Sequence, residues 1–96
     1  MEEQARKIAE LLKLLANEHR LLILCALMKE PLTVGQIHDH TPGISGSALS
    51  QHLGQLKNAG ILDSEKQGMN VRYWIRDERI LPLMGALKEQ YCTEAP

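Results

Sequence analysis

Two short amphipathic segments separated by Thr41-Pro42-Gly43 constrain the fold of this 96-residue chain more than any other feature. Thr33 can cap a first helix of about two turns, because its hydroxyl accepts hydrogen bonds from the free N–H groups of a first helical turn. Ser45 can cap a second helix in the same way, and Ala59-Gly60 marks the end of that helix. The apolar stripe of the second helix consists of Leu49, Leu53 and Leu56. The pattern therefore predicts a helix, a turn and a second helix.

A β-hairpin is predicted directly after the second of these helices. Residues Ile61 to Lys66 and Val71 to Arg76 are typical of two strands, and Gln67-Gly68-Met69-Asn70 lies between them. Glycine and asparagine both tolerate the positive φ angles of a hairpin turn. A hairpin in this position, directly after a helix-turn-helix, is a wing.

Three further helices are predicted outside this unit. Apolar residues recur every three or four positions from Glu2 to about Ala16, and a second helix from about Glu18 to Lys29 is apolar on nearly every side. The first stripe consists of Ala5, Ile8, Leu11, Leu12 and Leu15. Asp77 can cap a last helix. Its stripe consists of Ile80, Leu81, Met84, Leu87 and Tyr91. The predicted fold class is mainly α with a small β-hairpin, a winged helix-turn-helix in the order α-α-α-α-β-β-α.

The composition favours one small helical domain over residues 1–96. Hydrophobic residues make up 44% of the chain but aromatic residues only 3%, so leucine, isoleucine, alanine and methionine must form the core. A core of this size often gains burial from a partner subunit, which favours a dimer. The acidic N-terminus lacks the features of a secretory signal, and the apolar run from Leu21 to Met28 is far shorter than the ~20 residues of a membrane span. We therefore expect a cytoplasmic protein with no membrane segment.

The helix that begins after Ser45 is the candidate DNA-binding element. Its face opposite the leucine stripe carries serine and glutamine, short polar side chains that can reach base edges in the major groove. Lysine and arginine on the hairpin can contact phosphates or the minor groove. The candidate DNA-binding residues are Ser45, Ser47, Ser50, Gln51, His52, Gln55, Lys66 and Arg72. The alternatives are a solvated face of an ordinary amphipathic helix, strand residues that only aid solubility, and for His52 a bracing contact within the domain.

The charge of the chain favours DNA binding in only one segment. The formal net charge is −1, which is low for a protein that binds nucleic acid. From Ser45 to Arg76, however, four basic residues face two acidic ones, which gives +2 there and −3 over the rest of the chain. The basic residues are therefore concentrated in the helix that begins after Ser45, the predicted recognition helix, and in the wing.

Three segments, Asn17 to Leu24, Ser50 to Ile61 and Gly68 to Ile75, closely resemble the ArsR/SmtB repressors. The most specific part is a serine-x-histidine-leucine helix followed by alanine-glycine and a wing. The resemblance covers nearly the whole chain, although Glu18-His19 replaces the usual His-Pro before Arg20. It implies a homodimer whose first and last helices form the interface. It also implies double-stranded operator DNA as the partner, with two recognition helices in successive major grooves of an inverted repeat.

No metal site or cofactor is predicted. The cysteine pair that many family members carry on the third helix is absent from Val34 to His40, and Asp77 to Cys92 contains no histidine. His38 and His40 are two residues apart, which places them on different sides of a helix. We therefore interpret both as surface histidines.

Cys25 and Cys92 are the candidate sensor residues. Cys25 lies within the apolar second helix, where it can simply be a small buried hydrophobic residue, whereas Cys92 lies at the end of the last helix with no evident structural role. The second and last helices pack together in this architecture, so the two thiols can meet. The pairing resembles the dithiol branch of the family, which implies a repressor released from DNA by sulfide or persulfides, reactive sulfur species that modify both cysteines.

Other functions stay open at this point. Generic thiol oxidation, another ligand such as a metal, or no ligand at all would suit the same fold, and a winged helix can also be a module that binds protein. A thiol-disulfide enzyme is disfavoured because the chain has no CxxC motif. The chain is not expected to be an enzyme.

Overall fold

The structure is a computed structural model that describes residues 1–92, so that the last four residues of the predicted 1–96 domain lie outside it. Helices and strands follow the order of a winged helix-turn-helix. Their bounds are α1 Glu2–Leu15, α2 Glu18–Leu27, β1 Leu32–Thr33, α3 Val34–His40, α4 Gly46–Asn58, β2 Leu62–Gln67, β3 Asn70–Ile75 and α5 Ile80–Tyr91. The predicted fold class is confirmed. Within residues 1–92, none of the helices has the length and apolar character that crossing a membrane requires.

The sheet has one strand more than the predicted hairpin. β1 pairs antiparallel with β3, with Leu32 opposite Tyr73 and Thr33 opposite Arg72, and the strand order is β1-β3-β2. A strand of two residues is too short to show the alternation by which strands are recognised in a sequence. The predicted order of elements was therefore incomplete at this point. β1 joins the hairpin to the start of α3 and so fixes the wing to the helix-turn-helix.

Side-chain caps start the helices of the helix-turn-helix as predicted. The hydroxyl of Thr33 accepts a hydrogen bond from the backbone N–H of Gln36, whose side chain in turn accepts one from the N–H of Thr33. This reciprocal pair is a capping box. The hydroxyl of Ser45 accepts a hydrogen bond of 3.1 Å from the N–H of Ala48. Both caps satisfy N–H groups that a first helical turn otherwise leaves free.

Gly60 ends α4 with a Schellman motif. Its φ of 80° lies in the left-handed region, which costs a residue with a Cβ more than it costs glycine. The N–H of Ile61 donates to the carbonyl of Leu56, and the N–H of Gly60 donates to the carbonyl of Lys57. The buried side chain of Ile61 accompanies this turn. The end of α4 and the start of β2 are thereby set by the same turn.

Two local predictions were wrong in detail. Asp77 does not cap α5, which begins at Ile80 after Arg79, with no side-chain cap. The carboxylate of Asp77 instead accepts hydrogen bonds from the backbone and the guanidinium of Arg79, one turn before the helix. At the hairpin, only Gly68 has a positive φ, 63°, because Asn70 is already part of β3 and pairs with Gln67. Glycine alone thus provides the turn geometry.

The core lies between α2, α3, α4, β2 and the first turns of α5. The apolar stripe of α4 is fully buried, as predicted, and α2 contributes three residues that confirm its central position. The buried apolar residues of these elements include Ile23, Leu24, Leu27, Ile37, Leu49, Leu53, Leu56, Leu62, Ile80 and Met84. A core made almost wholly of branched aliphatic side chains follows from a chain without phenylalanine.

The stripe of α1 is left largely uncovered within the single chain. Leu15 is its only buried residue, whereas Ile8 is 55% and Leu12 53% exposed. Leu81 and Leu87 of α5 are also exposed. The first and last helices therefore present apolar surface that the other elements do not cover.

We expect Leu53→Ala to lower the free energy of unfolding by about 2–5 kcal/mol, because Leu53 is 1% exposed and its removal leaves a cavity. The matched control is Met69→Ala at the tip of the wing, where the side chain is 99% exposed. Its effect should stay within about 0.5 kcal/mol. Denaturant unfolding of both variants measures the difference. Equal losses would contradict the position of the core.

Candidate nucleic-acid interface

The polar face of α4 forms a continuous exposed surface. The side chains of Ser47, Ser50 and Gln51 are exposed, opposite the buried leucines of the same helix. Ser45 lies at the N-cap, where its hydroxyl is 3.2 Å from that of Ser47. The helix thus directs its free N–H groups, its positive dipole end and a pair of hydroxyls to solvent. The structure brings these four predicted residues together on one surface.

His52 and Gln55 lie on the same helix but are engaged by Arg20 of α2. The Nε of Arg20 donates to Nδ1 of His52 at 3.0 Å, and its Nη2 donates to Oε1 of Gln55. Its Nη1 donates to the carbonyl of Leu14 at 2.9 Å, at the end of α1. One guanidinium therefore joins α4 to the first two helices.

Arg20 was missed as a site residue in the sequence. The available signal was a charged residue in the first turn of a helix that is otherwise apolar on nearly every side. Such a residue is either exposed or paired, and here it is half-buried and makes three side-chain hydrogen bonds. The bracing contact considered for His52 is thus present in the structure.

The environment of His52 disfavours its charged form. Partial burial lowers the pKa of this histidine below the usual 6.5, and the positive charge of Arg20 and the neighbouring His19 lower it further. The centroids of the two imidazole rings are 6.0 Å apart. His52 is therefore neutral at neutral pH, with Nδ1 accepting from Arg20.

The two basic residues of the wing lie on opposite faces of the hairpin. Tyr73 packs against the core, and successive side chains of a strand alternate between faces. Val71 therefore shares the inner face with Tyr73, and so does Lys66, its partner across the hairpin. Arg72 lies on the outer face, where its guanidinium carbon is 6.0 Å from the centroid of the Trp74 ring. The predicted pair does not form a single basic patch.

Lys57 connects α4 to the wing. Its Nζ donates a hydrogen bond of 2.8 Å to the hydroxyl of Ser64 on β2. The contact joins the last turn of α4 to the strand that follows it in the chain. This exposed hydrogen bond is thus one link between α4 and the base of the wing.

The two cysteines are separate free thiols, and Cys25 lines a groove formed by α2, α3 and α5. Cys25 is half-buried and lines this groove, which has a volume of about 240 Å³. The other lining residues are Leu22, Ala26, Lys29, His40 and Lys88. Cys92 is exposed directly after α5, and its backbone N–H donates to the carbonyl of Lys88. The second cysteine thus follows the groove-lining lysine by one helical turn.

The histidines of α3 are bonded within the chain. Nε2 of His38 is 2.8 Å from the carbonyl oxygen of Ile44, and Nδ1 of His40 is 3.0 Å from that of Gln36. His40 is exposed, but His38 is half-buried, so the interpretation of both as surface residues was wrong for His38. In the part of the chain that the structure describes, no cluster of three or more His, Cys, Asp or Glu side chains has the geometry for a metal ion.

Comparison with known proteins decides the family. A model described as "Bacterial regulatory protein, arsR family" matches residues 17–64, half of the chain, from α2 into β2. The chain belongs to the arsR family. This arsR-family chain is therefore a DNA-binding transcriptional regulator, and proteins of this kind are not enzymes.

Similar proteins include an activator and a repressor. The transcriptional activator HlyU of Vibrio cholerae is 37% identical over 92 residues, which are 96% of this chain and 84% of HlyU. The biofilm growth-associated repressor of Xylella fastidiosa is 32% identical over 94 residues, which are 98% of this chain and 82% of that protein. The direction of regulation thus differs between proteins of similar sequence.

Solved structures extend the likeness to the fold. Reduced HlyU from Vibrio cholerae matches with a TM-score of 0.87 at 36% identity, covering 97% of each chain. A homodimeric winged helix-turn-helix DNA-binding domain from Mycobacterium bovis matches with a TM-score of 0.76 at 25% identity. That match covers 99% of this chain and 92% of the other.

The lowered pKa of His52 predicts a pH dependence of stability. As the pH falls through 6.5, the unfolded chain takes up a proton on this ring before the folded chain does, so the free energy of unfolding decreases. His52→Gln keeps an acceptor for Arg20 but does not titrate. Its free energy of unfolding should therefore decline less steeply below about pH 7 than that of the wild type. Urea unfolding across this range measures both slopes, and equal slopes would rule out the contribution of His52.

Proposed function

We propose that this arsR-family regulator is a homodimeric repressor of an inverted-repeat operator, released from DNA when persulfide or sulfide-derived species modify Cys25 and Cys92. The observation that carries the proposal is the exposed polar face of α4, which begins at the cap of Ser45 and lies beside the wing. A helix of this kind enters the major groove with its first turns. Its apolar stripe remains in the core of the domain.

Ser50 and Gln51 are the proposed base-reading residues. Both side chains are exposed, and neither makes a hydrogen bond to another part of residues 1–92. The glutamine amide offers a donor and an acceptor side by side, which matches the edge of adenine in the major groove. Ser45 and Ser47 lie at the helix N-terminus, where hydroxyls and free N–H groups suit a phosphate.

The wing supplies the proposed contacts outside the major groove. Lys66 and Arg72 lie near the turn on opposite faces of the ribbon, so each can contact a phosphate on a different side of it. Neither side chain forms an ion pair within the described part of the chain. Both positive charges are therefore available to DNA.

A second copy of the chain is the proposed cover for α1 and α5. These helices expose Ile8, Leu12, Leu81 and Leu87, and a groove of about 550 Å³ lies between them. Burial of such residues is favourable at about 25 cal/mol per Å² of apolar surface. The similar domain from Mycobacterium bovis is homodimeric. A twofold axis through these helices would present two copies of α4 to the two halves of an inverted repeat.

The thiols are proposed to act through the groove formed by α2, α3 and α5. The Cys25 thiolate attacks the outer sulfur of a persulfide, which forms a Cys25 persulfide and releases the donor as a thiol. The Cys92 thiolate then attacks the Cys25 sulfur, which forms a disulfide and releases hydrosulfide. If both cysteines first receive a sulfur atom, the same displacement gives a trisulfide. The ammonium groups of Lys29 and Lys88 favour the approach of anionic sulfur species.

A covalent bridge would couple the core to the dimer helices. α2 carries the buried residues Ile23, Leu24 and Leu27, whereas α5 carries exposed apolar residues of the proposed interface. A link between them shifts α5 relative to the recognition helix of the same chain. The two copies of α4 then no longer fit both half-sites together, and affinity for the operator falls.

We expect Arg72→Gln to weaken binding to all duplexes and to reduce the slope of log K against log salt by about 1, because one phosphate contact is lost. Gln51→Ala should weaken the binding free energy for the selected duplex by about 1–3 kcal/mol and relax the base preference at one position of each half-site.

The measurement for both variants is fluorescence anisotropy on a duplex selected from a random-sequence pool. Lys13→Gln, which removes an exposed positive charge that lies outside α4, the wing and both grooves, is the control.

The stoichiometry of the same complex tests the dimer. Sedimentation of the protein with the selected duplex should give two chains for each duplex. Failure to select any duplex, or one chain for each duplex, would contradict the proposal.

We expect a persulfide donor such as glutathione persulfide to join Cys25 and Cys92 and to release the selected duplex. Peptide mapping by mass spectrometry should find the bridge in the wild type but not in Cys25→Ser or Cys92→Ser, and neither variant should be released to the wild-type extent. Hydrogen peroxide serves as the comparison for generic oxidation. Release of DNA from an unmodified protein would exclude the thiols from the mechanism.

A further inference from the structure

Given the DNA contact proposed above, we propose that Arg20 is a positioning residue that fixes His52 and Gln55 as hydrogen-bond donors toward DNA. The second half of α4 would then select acceptor groups on the operator, whereas the first half reads bases with both donors and acceptors. The proposal rests on three hydrogen bonds that the guanidinium group of Arg20 donates. Their acceptors are the carbonyl oxygen of Leu14, Nδ1 of His52 and Oε1 of Gln55.

The direction of each hydrogen bond follows from the chemistry of the guanidinium group. Arginine has five N–H donors and no acceptor, so any polar atom facing it must be an acceptor. The Gln55 atom that faces Nη2 is therefore the carbonyl oxygen, which turns the amide NH₂ group away from Arg20. The assignment of the amide thus rests on its partner and not on the similar shapes of oxygen and nitrogen.

The same reasoning fixes the tautomer of His52. Its Nδ1 lies 3.0 Å from Nε of Arg20 and must be unprotonated to accept this hydrogen bond. A neutral imidazole then carries its proton on Nε2. Two charged or titratable side chains, Arg20 and His19, face the ring from α2, and both disfavour a second proton on it. His52 therefore presents Nε2–H as a donor.

The two halves of α4 therefore offer different hydrogen-bonding groups to DNA. Gln55 cannot pair with adenine through both of its amide atoms while Oε1 is bound to Arg20, because that pairing needs the oxygen as an acceptor and the nitrogen as a donor. It can donate to N7 or O6 of guanine, to O4 of thymine or to a phosphate oxygen. Gln51, one turn earlier on α4, keeps both amide atoms free of hydrogen bonds within residues 1–92.

The tautomer of His52 provides a test that needs no DNA. A long-range proton–nitrogen correlation spectrum of the imidazole rings in the wild type should show Nε2 protonated and Nδ1 unprotonated. Arg20→Gln removes the fixed donor and should give a mixture of both tautomers, whereas Arg20→Lys retains a charge and should restore part of the wild-type state. Arg79→Gln is the control and should leave the spectrum unchanged. Thermal unfolding verifies that each variant is folded.

The binding test uses the duplex selected by the wild type and copies in which single guanines are replaced by 7-deazaguanine, which lacks the N7 acceptor. Replacement at the guanine that Gln55 contacts should weaken wild-type binding by roughly tenfold but should scarcely affect Gln55→Ala. Arg20→Gln should lose this sensitivity and bind adenine at that position better than the wild type does.

The outcomes separate this inference from the proposed function. An Nδ1–H tautomer in the wild type, or an unchanged tautomer and base preference in Arg20→Gln, would overturn the role of Arg20 even if the operator binds tightly. An Nε2–H tautomer in a protein that selects no duplex would instead contradict the DNA contact on which the donor role depends. A Gln55→Ala variant that binds the parent duplex as tightly as the wild type would also overturn the inference.

Discussion

Burial of the leucine stripe of α4 is the constraint on which the rest of the structure depends. Leu49, Leu53 and Leu56 are fully covered by the core, so the helix has only one rotation about its axis in which its serines and glutamines meet solvent. A rotation by half a turn would bury the polar face and cost several hydrogen bonds to water. The same burial that stabilises the domain therefore determines which side chains are available to DNA.

The elements that were predicted correctly are those with a strong local signal. Thr33 and Ser45 combine a capping hydroxyl with an apolar period of three to four, and Gly60 stands where a left-handed residue is required. These features depend on neighbours in sequence, so the sequence alone contains them. The two-residue strand β1 lacks such a signal, because its pairing with β3 is a contact between distant parts of the chain. Asp77 has the chemistry of a cap but is bound by Arg79 before the helix begins.

The candidate site was likewise predicted where the signal is local and missed where it depends on distant contacts. The exposed face of α4 follows from helical periodicity and was predicted residue by residue. The hydrogen bonds of Arg20 to His52 and Gln55 span more than thirty residues of sequence, so no local pattern contains them. The opposite faces of Lys66 and Arg72 follow from strand register, which was not assigned from the sequence. Contacts between distant parts of the chain thus determine which atoms of these side chains remain free and which way they face.

The neighbourhood of Arg72 has a practical consequence for the chain's single tryptophan. Its guanidinium lies 6.0 Å from the ring of Trp74 on the outer face of the wing, and indole emission responds to a nearby cation. Any movement of that arginine away from the ring changes the electric field at the fluorophore. The wing therefore contains an intrinsic optical probe, which can follow the hairpin in solution without any attached dye.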